Sequence, residues 1–214
     1  GELQRLRLAT QIRSQLFGVV YVLDEPSAGL HPADTRALLS SLDELKQAGN
    51  SLFVVEHDVS VIRHADWIVD IGPDAGTHGG EVIYNGPIDG LRKVKKSHTA
   101  RYLFGEHSVA ELAKSFGISS SRSKVLAASA TSRSPRQPSG WLKLEQVERN
   151  NLQRLSAEFP LGVLTTVTGV SGSGKSSLVS QALVELVGER LGQKKIAEVP
   201  TGEVDLLERE LETS

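Results

Sequence analysis

The sequence predicts an α/β protein made of two half-domains joined by a basic linker. Three observations carry this. Two short apolar runs, 19–23 and 52–55, have the even hydrophobicity of parallel strands buried on both faces, and a helical stretch separates them. A glycine-rich segment, 169–176, lies between the β-branched run 163–167 and a helical pattern. Between these regions the composition turns basic and serine-rich.

Over residues 2–16, Leu3, Leu6, Leu8, Ala9 and Ile12 recur at mostly helical spacing with Arg5, Arg7 and Arg13 interleaved, which predicts an amphipathic helix. The strand over 19–23 ends in Asp24-Glu25-Pro26, a carboxylate pair at its carboxyl end. Pro32 opens a helix that stops at Gly49-Asn50, because proline suits a first helical turn and glycine suits the residue after the last. The strand over 52–55 ends in Glu56-His57-Asp58. A helix over 59–65, an apolar run over 67–71, a strand over 81–84 after Gly79-Gly80 and a turn at Asn85-Gly86 complete a first segment, 1–90.

Residues 91–138 form the linker: Arg92, Lys93, Lys95, Lys96, Arg101, Lys114, Arg122, Lys124, Arg133 and Arg136 face only Glu106 and Glu111. A short helix over 108–116 is expected inside it, and 119–138 lacks the apolar content to fold alone, so the linker is expected to be partly disordered. The second segment, 139–191, holds a strand carrying Leu142, Leu144 and Val147, a turn at Pro160-Leu161-Gly162, the strand over 163–167 and a helix over 176–191. Residues 192–214 form an acidic tail, helical or disordered.

The 214 residues are 39% apolar with a formal net charge of -2, so no global basic field marks a nucleic-acid binder. No apolar run approaches the roughly 20 residues of a membrane helix, and the expectation is a cytoplasmic protein without a membrane partner. Cysteine is absent, which removes disulfides and any thiolate zinc site from this chain. Methionine is absent too, and the chain starts without a cap or targeting segment, so it reads as cut from something longer.

The chemistry lies in two motifs. Gly169, Val170, Ser171, Gly172, Ser173, Gly174, Lys175 and Ser176 fit the phosphate-binding loop G-x-x-x-x-G-K-[ST], in the strand–loop–helix context it requires. Its glycines let successive N–H groups turn onto phosphate oxygens, and the helix amino terminus adds positive potential. Lys175 is expected to reach the β and γ phosphates of ATP and Ser176 to ligate Mg²⁺, with Ser177 alongside. Asp24 is the candidate for holding Mg²⁺ and Glu25 for general base on the attacking water. The fold expected from these motifs is a P-loop NTPase.

Glu25 with His57 at the end of the next strand, and Ser27 to Leu30 following, resembles the ABC ATPases, where such a histidine contacts the γ-phosphate and the base. Gly1-Glu2-Leu3-Gln4-Arg5 resembles the end of the ABC signature, so Gly1 and Glu2 are expected to face an ATP held by an opposing domain. An ABC domain runs phosphate loop, signature, carboxylates, histidine. Here the phosphate loop comes last, so the chain is expected to straddle two domains: Asp24, Glu25 and His57 would serve one ATP, and Lys175 with Ser176 another. With both sites incomplete, the expectation is weak nucleotide binding and negligible hydrolysis by the 214 residues alone.

The stretch Asp24-Glu25-Pro26-Ser27-Ala28-Gly29-Leu30-His31, with 65–73, Ala75-Gly76, 78–82, Asn150-Asn151-Leu152 and 168–171, resembles the UvrA family of bacterial nucleotide excision repair. That resemblance implies a damage-recognition ATPase that binds damaged duplex DNA, hands it to a UvrB-like helicase subunit and works as a homodimer. A UvrA-like ABC ATPase of drug resistance or transport is the alternative, since such proteins share these motifs. A ribosome-associated tandem ABC protein fits the layout but not Gly29-Leu30-His31. Arg149 stands where ABC transporters often stack adenine on an aromatic ring, and either stacks through its guanidinium or is an exposed strand-end arginine.

Overall fold

The computed structural model describes residues 16–76, 79–104, 136–191 and the backbone of 201–207. Gly1, Glu2, the helix expected over 2–16, the one expected over 108–116 and most of the serine-rich stretch lie outside those residues.

The first segment alternates as its pattern predicts. Strand β1 (Val20–Asp24) leads to helix α1 (Pro32–Gln47), which begins at His31, whose Nδ1 accepts from Ala33 N, with Pro32 in the first turn. Strand β2 (Ser51–Val55) is buried at every position. Asp58 caps helix α2 (Val59–His64), its Oδ1 accepting from Ser60 N at 2.7 Å and Val61 N at 3.2 Å. Strands β3 (Trp67–Gly72) and β4 (Glu81–Gly86) follow.

Asn85 and Gly86, expected as a turn, continue β4 instead, paired with Val69 and Ile68. Asn85 is held by tertiary bonds: Trp67 Nε1 donates to its Oδ1 at 2.6 Å, and its Nδ2 donates to Glu158 O at 2.9 Å. The end of the first segment and the start of the stretch assigned to the linker are folded from 88 to 104 into helices α3 (Ile88–Leu91) and α4 (His98–Phe104). The linker's basic composition concealed a second face on which Leu91, Ala100 and Leu103 pack with Ile62 and Ile68. Beneath it the buried Asp70 accepts from Ser97 Oγ (2.5 Å), Thr99 Oγ1 (2.8 Å) and Thr168 Oγ1 (2.7 Å).

In the second segment, strands β5 (Gly140–Arg149) and β6 (Leu152–Leu161) form an antiparallel hairpin, and β7 (Leu164–Gly169) runs into the glycine-rich loop. The turn expected over 160–162 narrows to Gly162-Val163, since Pro160 and Leu161 end β6. The helix after the loop starts with a π-wound stretch, Ser177–Leu183, and continues as α5 (Val184–Arg190). Part of the acidic tail is a strand: β8 (Thr201–Leu207) pairs antiparallel with β5, Leu144 opposite Val204 and Trp141 opposite Leu207. Glu203 and Asp205 alternate with Val204 and Leu206, a two-residue period that the count of acids hid.

The strands do not sort by segment. One five-stranded sheet has the order β1-β2-β7-β3-β4, with β7 parallel to both neighbours, Leu52 beside Leu164 and Trp67 beside Thr165. The fold class is therefore α/β with a mostly parallel sheet, as expected. The second sheet, β6-β5-β8, packs against it through Phe53 and Phe159, both fully buried with ring centroids 5.1 Å apart. Trp141, half-buried, meets Trp67 edge-on at 5.1 Å.

Because Phe53 and Phe159 come from different segments, their contact reports whether the segments fold as one unit. Each Phe→Ala change should cost about 3–5 kcal/mol, and the double variant should lose less than the sum by about 0.5–3 kcal/mol. Urea unfolding followed by the fluorescence of Trp67 and Trp141 checks this; strict additivity with two separate transitions would rule out a joint core.

Candidate nucleotide site

The carboxyl ends of β1, β2 and β7 lie side by side, so the three loops leaving them converge at one edge of the sheet. This is where open parallel α/β sheets place their ligands.

The loop after β7 is shaped by its neighbours. Gly169 has φ 134°, and a Cβ there would lie 2.0 Å from Ile71 O; Gly174 has φ 106°, and a Cβ would lie 2.7 Å from Leu152 Cδ2. Neither position admits a side chain. The carbonyls of the loop turn outward: Gly172 O accepts from Gly76 N (3.1 Å) and Asn151 Nδ2 (3.0 Å), and Ser173 O from Gly80 N (3.0 Å). Lys175 is buried and folds back on the loop, its Nζ donating to Gly169 O (3.1 Å) and Val170 O (2.9 Å). Burial pushes its pKa below the ordinary lysine value, and the nearby Glu25, Asp24 and Asp70 pull the other way. Ser173 Oγ, buried beside Gly169, has no hydrogen-bond partner among the described residues.

The carboxylates meet this loop directly. Ser176 Oγ donates to Asp24 Oδ1 at 3.3 Å, and Ser180 Oγ, one helical turn on, donates to Asp24 Oδ2 at 3.1 Å. Glu25 has a left-handed backbone, φ 47°, which costs a residue with a Cβ about 1–3 kcal/mol. Its N–H donates to Val55 O at 2.9 Å, and its Oε1 lies 2.7 Å from His57 Nε2, with both side chains about half-exposed. An ammonium, a hydroxyl beside a carboxylate and an orphaned buried hydroxyl, all facing one glycine loop, are the donor set a magnesium–triphosphate requires.

These residues, expected to divide between two nucleotides, lie beside one another in the folded chain. Asp24, Glu25, His57, Lys175 and Ser176 gather at one edge of the sheet, because β7 inserts beside β2 and brings its loop to the end of β1. Chain order could not reveal this, since a parallel sheet accepts a strand from either end of the sequence. Gly1 and Glu2 lie outside the described residues. Arg149 is partly buried rather than exposed, its Nε donating to Gln181 Oε1 at 3.1 Å and its Nη1 pairing with Glu185 Oε2. Ser180 and Glu56 were not candidates from sequence, and Asn151 entered only through the resemblance. Ser180 sits four residues after Ser176, a helical spacing that signals it; Glu56 carries no such signal.

No family model matches the chain. It is 63% identical to UvrABC system protein A of Paucimonas lemoignei over 203 residues, 95% of this chain and 27% of that relative. It is 49% identical to UvrABC system protein A of Mycobacterium bovis over 89% of this chain and 18% of the relative. Among solved structures, UvrA2 from Deinococcus radiodurans matches with 55% identity over 96% of this chain and 22% of that chain, at a TM-score of 0.47. The chain thus spans about a quarter or less of the relatives it matches. With a glycine-rich loop set in a mostly parallel α/β sheet and these identities along nearly its whole length, the chain belongs to the UvrABC system protein A family.

Proposed function

We propose that this chain carries a magnesium–ATP site and serves, within a longer protein, as the nucleotide-binding part of a DNA-damage recognition ATPase of nucleotide excision repair. The observation that supports it most is the meeting of Ser176 and Asp24, 3.3 Å apart though 152 residues distant in sequence. Lys175 and the loop amides take the β and γ phosphates; Ser176 and Asp24 would hold Mg²⁺, which supplies charge neutralisation between phosphate oxygens. Glu25 accepts the proton of the attacking water, and His57, in contact with Glu25, fixes its orientation and faces the γ-phosphate. Charge stabilisation from an opposing signature segment is still required, so turnover by the chain alone stays low. The longer protein works in the cytoplasm as a homodimer, with damaged duplex DNA and a UvrB-like helicase subunit as partners.

In this chain Lys175→Ala and Asp24→Asn should act on one binding event. Each weakens a fluorescent ATP analogue in the presence of Mg²⁺ by about tenfold or more, and the double variant is far from additive. Independent effects, or binding that survives Lys175→Ala, would defeat the single-site reading.

Lys175 also gives a pH signature in the absence of nucleotide. Burial lowers its pKa in the folded chain, so the unfolded chain holds that proton more tightly. Wild-type stability relative to Lys175→Met should therefore rise with pH from the lowered value up to the ordinary 10.5. Urea midpoints of the two proteins at about pH 7 and about pH 10 measure the trend, and a falling difference contradicts it.

For the whole protein, lesion-bearing duplex should bind more tightly than undamaged duplex, with affinity falling steeply as salt rises. Equal affinities in a salt-titrated binding assay would remove damage recognition from the proposal.

A further inference from the structure

Glu56 directly follows β2, and the residue is almost entirely shielded from solvent, 2% exposed. A buried carboxylate is tolerated only where donors replace water. Four do so here: Ser27 N donates to Oε1 at 2.7 Å, and Ser27 Oγ (2.7 Å), His57 N (3.0 Å) and Asp58 N (3.2 Å) donate to Oε2. A carboxylate has room for about four such bonds, the number found here. Its own backbone N–H donates to Val167 O of β7 at 3.2 Å.

These bonds run to particular places. Ser27 lies two residues beyond Glu25, whose left-handed backbone must be held against its own preference. His57 N is the first amide of the turn that presents the imidazole to Glu25 Oε1. Val167 lies on the strand that delivers the phosphate loop. We propose that Glu56 is a positioning residue for hydrolysis: one buried carboxylate that locks the Glu25 turn and the His57 turn into a fixed relative geometry. It touches neither nucleotide nor water and acts through Glu25 and His57. The proposal rests on the reading of those two residues as the hydrolytic pair.

Glu56→Gln keeps the volume but replaces one acceptor oxygen with an NH₂ that faces donors. Three measurements on the full chain test it: affinity for the ATP analogue, turnover of ATP with protein in excess, and the side-chain ¹⁵N shift of His57, assigned with His57→Gln. Expected for Glu56→Gln are affinity within about twofold, turnover slowed about tenfold or more, and a His57 Nε2 shift moved toward that of Glu25→Gln. Asp66→Asn is the control. Asp66 is also a buried carboxylate, accepting from Lys46 Nζ and Leu164 N at 2.9 Å each, but it stands at the opposite end of the strands. It should lower stability without moving the His57 signal. If Glu56→Gln leaves that signal in place, or shifts it no more than Asp66→Asn does, the positioning role is overturned. Turnover unaffected by Glu25→Gln would instead defeat the hydrolytic reading, and the His57 shift would still decide whether Glu56 holds the contact.

Discussion

The insertion of β7 between β2 and β3 is the constraint on which the rest of this structure depends. An all-buried parallel strand must satisfy both rows of backbone hydrogen bonds, and β7 does so with partners on each side. That placement decides where the glycine-rich loop emerges, which carboxylates it meets and which helix packs beneath. Leu178, Val179, Ala182 and Leu183 of the following helix join Phe53, Val55, Val69 and Phe159 in one core drawn from both segments. A fold of two separate half-domains would leave the central slot of the sheet empty, with two rows of unpaired amides and carbonyls.

Buried carboxylates secure this arrangement from both ends of the strands. At the amino end Asp66 binds Lys46 Nζ and Leu164 N, so the first residue of β7 is tied to an ion pair beneath α1. Arg136 joins them, its N donating to Asp66 Oδ1 and its guanidinium to Lys46 O, which anchors the chain just before β5. Further along, Asp70 takes three hydroxyls from α4, its preceding turn and β7. At the carboxyl end Glu56 gathers the two loops of the site. Each is a charge out of water whose cost is offset only when every donor is in place, which makes these joints specific as well as tight.

Much of the site was legible in advance because its chemistry is local. The spacing of Gly169, Gly174, Lys175 and Ser176 reflects what a backbone must do to wrap phosphate, and the Asp24-Glu25 pair ends a strand whose burial follows from its residues. Glu56 was invisible for the opposite reason: a glutamate beside a histidine and an aspartate reads as a solvated strand end until its four donors are seen. Helix α4 was concealed because a count of lysines and arginines averages over both faces of a helix, whereas burial selects one. Strand β8 was missed in the same way, its two-residue alternation lost within an acidic tail.

By itself the sequence located most of the strands and helices between 19 and 84 and the glycine-rich loop, and it named the candidates for holding a nucleotide. These follow from periodicity and from motifs confined to a few adjacent residues. Only the tertiary structure brought the loop and the carboxylates to one edge of one sheet. Strand order in a parallel sheet is set by which buried edges pair, not by the order in which the strands are strung along the chain.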